Sequence, residues 1–164
     1  MIIYLKNKDT LQVDKFYFKC CIGKNGVSKK KIEGDKKTPI GFFKIEHLYF
    51  RKNRTKHIDT NLKSIPIKPK MGWCDDVSFP KKYNKLININ PNIGHEILYR
   101  KDYKYDLLIP IKYNFTKRIP GKGSCIFIHL TKDYKPTAGC IALKKKDFLI
   151  MLKIIKKNTK IKIY

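Results

Sequence analysis

Short apolar stretches separated by turn residues dominate the chain as far as Leu143. Ile2–Leu5 and residues 11–22 predict two strands joined by a turn, which together form an N-terminal β-hairpin. Residues 41–45 follow a Pro-x-Gly turn and also have strand composition. The apolar run 125–128 predicts a buried strand with His129 at its end. Most of the chain is therefore expected to be β structure.

The pattern changes to a helical period after Leu143. Residues 144–157 place four apolar side chains on one side of a helix: Phe148, Leu149, Leu152 and Ile155. Residues 160–164 then alternate as a final strand. With no internal repeat or linker, residues 1–164 predict one mainly β domain, a sandwich or partly closed barrel with one late helix.

The middle of the chain carries weaker signals. Residues 51–70 are basic and weakly periodic, which predicts a surface excursion. Residues 83–89 end in strand-like composition, whereas His95–Leu98 favours a brief helical turn. Pro110 interrupts the strand predicted for residues 107–113, so we expect a sheet edge or a bulge there.

Composition narrows the class of protein. The 164 residues are 42% hydrophobic, enough for a globular core, and no apolar run approaches the roughly 20 residues of a membrane span. The net charge is +25, and the lysines that supply most of it are spread along the chain. This spread indicates either a compositional bias or a surface for a polyanion, and both predict weak, salt-dependent adhesion to polyanions.

The cysteines and histidines do not form a metal-binding pattern. Five cysteines lack C-x-x-C spacing and four histidines are scattered, so we expect no zinc site, no cofactor and no disulfide framework. Cys125 lies among apolar residues and is expected to be a small core side chain. Cys140, which follows Gly139, is the candidate reactive thiol.

His129 and Cys140 lie eleven positions apart at the ends of a short loop. An imidazole that folds back onto a thiol can take its proton, which makes the thiol a nucleophile. Gly139 permits an unusual turn and the close approach of a substrate, and free amides in that turn could bind an oxyanion. The residues alone leave open the alternative of a buried cysteine and a hydrogen-bonded core histidine.

Several motifs resemble the YkuD-type L,D-transpeptidase catalytic domain, in a branch with T-A-G-C at the cysteine. Residues 136–143 (PTAGCIAL), preceded by IFIH ending at His129, resemble the family signature. Residues 33–41 (EGDKKTPIG) resemble its N-terminal G-D-x-x-T-P-x-G element. Three positions depart from the commonest form of the family: Leu130, Ala138 and Leu143.

The resemblance implies a YkuD-like β-sandwich and cysteine-dependent acyl transfer on bacterial peptidoglycan stem peptides. Cys140 would attack the amide after an L-configured diamino residue, and a thioester would form. An amine or water would then resolve it, giving transpeptidation or carboxypeptidation. His129 would move the protons, the amides of Gly139 and Cys140 would bind the oxyanion, and Thr137 would hydrogen-bond near the site.

The same resemblance supplies six candidate substrate-binding residues: Trp73, Asp75, Asp76, Tyr83, Asn84 and His95. From the residues alone, a lone Trp beside acids is more typical of a packed loop anchor than of a binding platform, and Asp75 and Asp76 could equally well tie loops together by hydrogen bonds. The family substrate implies the cell envelope or periplasm, although the first residues show no signal peptide and a cytoplasmic protein is the alternative. We expect a monomer.

A second hypothesis comes from the charge. A non-catalytic basic β module that binds nucleic acid or another anionic polymer would also have lysines interleaved with Tyr and Phe. It predicts tight binding to nucleic acid, with an affinity that falls steeply as the salt concentration rises. The enzyme hypothesis instead predicts a Cys140 that alkylates well below the pH expected for a free thiol of pKa ~8.5.

Overall fold

A computed structural model describes all of residues 1–164, which form fifteen strands and one helix. The first eight strands are β1 (Ile2–Leu5), β2 (Thr10–Val13), β3 (Phe16–Cys21), β4 (Val27–Ser28), β5 (Thr38–Pro39), β6 (Gly41–Lys44), β7 (Leu48–Phe50) and β8 (Ser64–Pro66). The rest are β9 (Met71–Cys74), β10 (Leu86–Asn88), β11 (His95–Ile97), β12 (Leu107–Pro110), β13 (Phe127–Leu130), β14 (Ile141–Leu143), α1 (Lys145–Ile154) and β15 (Lys160–Ile163).

Ten strands form one large sheet in the order β6-β15-β1-β2-β3-β14-β13-β12-β7-β8. A three-stranded sheet, β10-β9-β11, and the pair β4-β5 complete the β structure. The predicted mainly β fold with one C-terminal helix and a final strand is confirmed. The single helix is too short and not apolar enough to span a membrane.

The N-terminal hairpin is a three-stranded meander. The stretch 11–22, predicted as one strand, is broken by a turn at Asp14, whose φ is +53°, and β2 then pairs antiparallel with β3. Aspartate tolerates this left-handed conformation better than most residues. The aromatic residues after the turn hid the break in the sequence pattern.

Two hydrophobic cores lie against β13 and β14. The larger contains Ile128, Ile141 and Leu143, together with Phe148 of α1. The smaller contains Phe127 and Cys140 with the side chains Tyr49, Ile67, Trp73, Leu98, Tyr105 and Leu108. Because side chains alternate along a strand, each of these strands is buried on both faces, which explains its continuous apolar sequence.

Two local predictions change in the structure. Residues 95–97 form β11 and not a helical turn, because they pair antiparallel with β9 from His95↔Cys74 to Ile97↔Gly72. Strand β12 is not at a sheet edge, since β13 and β7 flank it. The register of the pairing with β7 nevertheless changes by one residue near Pro110. Tyr49 pairs with Leu108, whereas Ile45 forms a bridge with Ile111, so the predicted bulge is present.

Candidate active site

Strands β13 and β14 place His129 and Cys140 on the same face of the large sheet. They pair in parallel, with Ile128 opposite Ile141 and His129 opposite Ala142. Cys140 directly precedes β14, so it lies beside Phe127, two positions before His129. The backbone N–H of Phe127 donates to Cys140 Sγ at 3.3 Å, and the thiol donates to the Cys125 carbonyl at 3.2 Å.

The loop before Cys140 is held by threonine hydroxyls. Thr137 Oγ1 donates to the Cys140 carbonyl at 2.6 Å and accepts from the Gly139 amide at 3.1 Å. Buried Thr38 donates to the Gly139 carbonyl at 2.8 Å and accepts from the Gly23 amide at 3.0 Å. The Gly139 amide therefore already has a partner, whereas the Cys140 amide makes no hydrogen bond within the protein.

Position 139 requires a glycine both because its backbone conformation is left-handed and because the Lys37 carbonyl lies close to it. Its φ is +137°, and a Cβ there would lie 2.8 Å from the Lys37 carbonyl oxygen. Lys37 directly precedes Thr38, so the G-D-x-x-T-P-x-G segment and the cysteine loop are in contact. Two motifs that lie about a hundred residues apart in the sequence together fix the position of Cys140.

Burial keeps the Cys140 thiol protonated. It raises the pKa of Cys140 to about 12, a shift that the hydrogen bond from Phe127 only partly opposes. The low thiol pKa expected from the sequence is therefore wrong for this structure. The reason is that Cys140 is only 8% exposed and packs in the smaller core, so a thiolate would lose most of its hydration.

The His129 ring is neutral and has a defined tautomer. Burial lowers its pKa to about 4, with a smaller opposing effect from the Leu130 carbonyl. Nδ1 lies 3.0 Å from that carbonyl, which can only accept, so Nδ1 carries the proton. Nε2 is consequently unprotonated and available as a base. No hydrogen bond joins the ring to Cys140.

His129 and Cys140 both line an open cleft of about 450 Å³. Its walls carry charges of both signs, from Glu96, Arg100, Lys104, Asp133 and Lys135. A smaller cavity of about 200 Å³ also reaches Cys140 and shares Glu96 and Tyr105 with the cleft. A substrate can therefore approach the thiol from two sides.

The structure separates the six predicted substrate-binding residues. Asp75 lines the smaller cavity, and burial raises its pKa, as do the nearby Glu33 and Glu96. Asp76 instead accepts from the amides of Ser78 and Gly94 in a loop. This half-buried carboxylate lines neither cavity.

Trp73, Tyr83 and Asn84 support the site from behind, and none of the three lines the cleft. Trp73 is buried in the smaller core, and its Nε1 donates to Asn84 Oδ1 at 3.0 Å. Asn84 also accepts from the Cys125 amide at 3.3 Å, which ties β9 to the segment before β13. Tyr83 is fully buried and donates to Glu33.

His95 faces away from the cleft. Its ring would contact a Cβ placed at Gly72, and its Nδ1 lies 2.6 Å from the Ile93 carbonyl. The next residue, Glu96, alternates to the opposite side of β11 and lines both cavities. The sequence analysis named His95, but the strand pairing turns the next residue, Glu96, toward the site.

Two further site residues were not predicted as ligands. Arg100 donates to Glu96 at 3.0 Å and to Asp102 at 2.7 Å. Tyr105 is only 7% exposed, lines both cavities and packs its ring edge-on to His129, with centroids 5.3 Å apart. Tyr105 becomes a site residue only because the fold brings it beside His129. Arg100 had no signal in the sequence.

Two solved structures share the overall fold of this chain. The helical cell shape determining protein Pgp2 from Campylobacter jejuni has 19% identity and a TM-score of 0.51, and the match covers 99% of this chain and 46% of Pgp2. Bdellovibrio bacteriovorus Bd1075 has 16% identity and a TM-score of 0.51, with 99% and 47% covered. The chain thus spans less than half of either protein.

These likenesses show the fold, and the family comes from a separate match. None of the curated proteins matches the chain. The family model YkuD, described as the L,D-transpeptidase catalytic domain, matches residues 1–163. This match covers nearly the whole chain, and the fold brings Cys140 and His129 to one cleft. The protein therefore belongs to the YkuD L,D-transpeptidase catalytic domain family.

Proposed function

We propose that this protein catalyses acyl transfer on peptidoglycan stem peptides through a Cys140 thioester, as an L,D-transpeptidase or an L,D-carboxypeptidase in the cell envelope. The observation that carries the proposal is that adjacent parallel strands place Cys140 and His129 on one face, at an open cleft of about 450 Å³. The YkuD match supplies the substrate class.

In this mechanism both reacting groups begin neutral. His129 Nε2 takes the thiol proton as Cys140 Sγ attacks the carbonyl carbon on the carboxyl side of the L-configured residue. The carbonyl oxygen becomes an oxyanion, for which the free Cys140 amide is a donor. His129 then gives its proton to the departing amine of D-Ala, the C–N bond breaks, and the thioester remains.

Resolution of the thioester reverses the roles of the two residues. An amine or a water attacks the thioester carbonyl, the C–S bond breaks, and the proton of the nucleophile passes through His129 to the Cys140 sulfur. A substrate that covers the cleft would exclude water and bring the imidazole to the thiol. Such a contact would let the thiol pass its proton directly to the imidazole as it attacks, so that no resting thiolate is needed.

The test is covalent labelling by a carbapenem, a β-lactam that acylates a nucleophilic cysteine. We expect intact-mass spectrometry to show one adduct on the wild-type protein and none on Cys140→Ala. Cys125→Ala is the matched control, because it removes a thiol that contacts the Trp73 carbonyl and keeps the backbone carbonyl that accepts from Cys140. It should retain the adduct.

Substrate turnover completes the test. Incubation with a tetrapeptide stem should release D-Ala, with at least a thousandfold lower rate in Cys140→Ala. An adduct that persists in Cys140→Ala would overturn the mechanism, as would a wild-type protein that neither labels nor releases D-Ala. The same assay with and without an added amine separates transfer from hydrolysis.

A further inference from the structure

Five adjacent strands of the large sheet, β6-β15-β1-β2-β3, leave one of their two faces toward solvent. Their register aligns one outward residue from each strand in a single row: Phe42, Lys162, Tyr4, Gln12 and Tyr17. Neighbouring positions such as Ile3 and Leu11 lie on the opposite face, in the larger core. The face that carries the row is called the outer sheet face below.

The outer sheet face exposes several aromatic rings together. Tyr17 is 64% exposed and Phe42 is 50% exposed. Tyr4 is partly covered because it stacks on Tyr164, with ring centroids 6.5 Å apart, and Tyr164 is itself exposed. Monomeric soluble proteins rarely leave such a group of large apolar side chains uncovered unless it binds something.

The same face is strongly basic. Its outward strand positions include four lysines: Lys19, Lys44, Lys160 and Lys162. The five strands contain no aspartate and no glutamate. Lys160 Nζ lies 5.0 Å from the centroid of the Phe42 ring, and Lys162 Nζ lies 4.8 Å from that of Tyr164. Rings and positive charges therefore alternate on one surface, which suits a ligand that has both flat apolar faces and anionic groups.

The outer sheet face continues into the candidate catalytic cleft. Cys21, on the same side of β3 as the row, pairs with Ala142, and Ala142 pairs with His129. Ala142 and His129 both line the cleft. A further cavity of about 410 Å³ bridges the two regions, because Lys19 of the face lines it and so does Pro136 of the cleft. A long ligand on the face would thus lead directly to the cleft.

We propose that the outer sheet face is a docking surface for the glycan strand of peptidoglycan. Sugar rings stack on Phe42, Tyr4 and Tyr17, and the lysines pair with carboxylates of the stem peptides that the strand carries. This inference rests on the proposed function. It places the polymer so that the enzyme stays on one strand while a stem peptide enters the cleft.

The spacing of the rings favours a glycan over a nucleic acid. Aromatic residues occupy every second strand of the row, so they lie about 10 Å apart, twice the distance between neighbouring strands. This separation is close to the length of one disaccharide, the repeating unit of the glycan. A single-stranded nucleic acid instead stacks successive bases, which are closer together. The five strands also lack arginine, the side chain best suited to phosphate.

Charge also argues against a second copy of this chain as the occupant. Two outer sheet faces packed together would bring eight lysines close to one another with no carboxylate from these strands between them. Like charges at such an interface are destabilising. An anionic polymer removes this repulsion, whereas a dimer creates it.

The first experiment is co-sedimentation with insoluble peptidoglycan sacculi in 0.15 M NaCl. All proteins carry Cys140→Ala, so that binding is measured without turnover. Adding Tyr17→Ala and Phe42→Ala together should weaken binding about tenfold, because two stacking contacts are lost and stacking is not screened by salt. The matched control is Phe79→Ala, which removes an exposed ring in the loop between β9 and β10, away from this face. It should bind as tightly as the parent protein.

The second experiment compares two substrates in proteins that keep Cys140. A soluble tetrapeptide stem needs only the cleft, whereas sacculi also need the docking surface. The ratio of D-Ala released from sacculi to D-Ala released from the soluble stem should fall about tenfold in the Tyr17→Ala and Phe42→Ala double variant. Phe79→Ala should keep the wild-type ratio. Thermal unfolding of each variant checks that it is folded.

The outcomes separate this inference from the proposed function. Equal binding of sacculi by the double variant and by Phe79→Ala overturns the docking surface. So does displacement of the protein from sacculi by single-stranded DNA at a lower concentration than by soluble glycan strands, which would assign the face to nucleic acid. Absence of D-Ala release from the wild type overturns the proposed function, while the sedimentation result still decides the docking surface.

Discussion

The two candidate catalytic side chains are neutral for the same physical reason, which is burial. Burial raises the pKa of Cys140 to about 12 and lowers that of His129 to about 4. A resting thiolate–imidazolium pair is therefore disfavoured, and the proton transfer belongs to the step in which substrate arrives. Such a resting state also protects Cys140 from oxidation, since the thiolate is the form that oxidises.

The buried imidazole predicts a pH-dependent stability. The pKa of His129 in the folded protein lies below its ordinary value of 6.5, so its contribution to stability is complete above pH 6.5 and is lost as the pH falls through about 4. We expect a loss of about 3 kcal/mol from this group between pH 7 and pH 3. Urea unfolding of the wild type and His129→Gln at both values measures it.

The variant separates His129 from the carboxylates that titrate in the same range. His129→Gln keeps a side-chain N–H for the Leu130 carbonyl but has no proton to gain. Between pH 7 and pH 3 the free energy of unfolding of His129→Gln should therefore fall less than that of the wild type. The difference between the two losses should be about 3 kcal/mol, the amount assigned to His129. Equal losses in the two proteins would contradict the burial argument.

At the scale of elements, the site depends on loops that the sheet brings together. The Cys140 loop packs on the segment before β5, through Thr38 and the Lys37 carbonyl. Trp73 of β9 and Asn84 hold the Cys125 amide, and the Cys125 carbonyl in turn accepts from the Cys140 thiol. Cys140 is therefore positioned by residues from distant segments, and a change in any of them should move it.

Gly139→Ala tests this packing. The added Cβ would lie 2.8 Å from the Lys37 carbonyl oxygen at a φ of +137°, so the loop must shift. We expect the carbapenem acylation rate to fall at least tenfold, because small displacements of a nucleophile are costly. The measurement is the rate of adduct formation, followed by mass.

Gly121→Ala is the matched control for backbone strain. Gly121 also has a positive φ, +78°, but nothing lies within 4 Å of its added Cβ. This variant should lose about 1 kcal/mol of stability and keep its acylation rate. Equal acylation rates in the two variants would show that contact with Lys37 does not position Cys140.

At the scale of the whole molecule, the net charge of +25 is distributed over the surface. The candidate cleft carries both signs, and its smaller neighbour is acidic, so the charge is not concentrated at the site. Adhesion to polyanions should therefore be a property of the surface and independent of the chemistry at Cys140.

Chromatography on an immobilised polyanion tests this expectation. The protein should bind at low salt and elute by about 0.15 M NaCl, because exposed charges are screened beyond a Debye length of about 8 Å. Cys140→Ala should elute at the same salt concentration. Retention well above that concentration would instead support the nucleic-acid hypothesis, with a dedicated binding surface.

The sequence by itself determined the features that depend on neighbouring residues. The helical period around Phe148 predicted α1, and the apolar runs flanking His129 and Cys140 predicted strands, because local periodicity follows burial. The Pro-Thr-Ala-Gly-Cys segment identified the candidate nucleophile. These predictions required no knowledge of which strands pair.

Tertiary structure decided the rest, since pairing and burial come from residues far apart in sequence. Pairing with β9 made 95–97 a strand and turned Glu96, not His95, toward the cleft. The loop around Gly94 occupied Asp76 and left Asp75 for the smaller cavity. Packing from distant core residues buried Cys140 and reversed the expected direction of its pKa shift. A local pattern cannot encode such contacts, because the same side chain behaves differently once the fold excludes water from it.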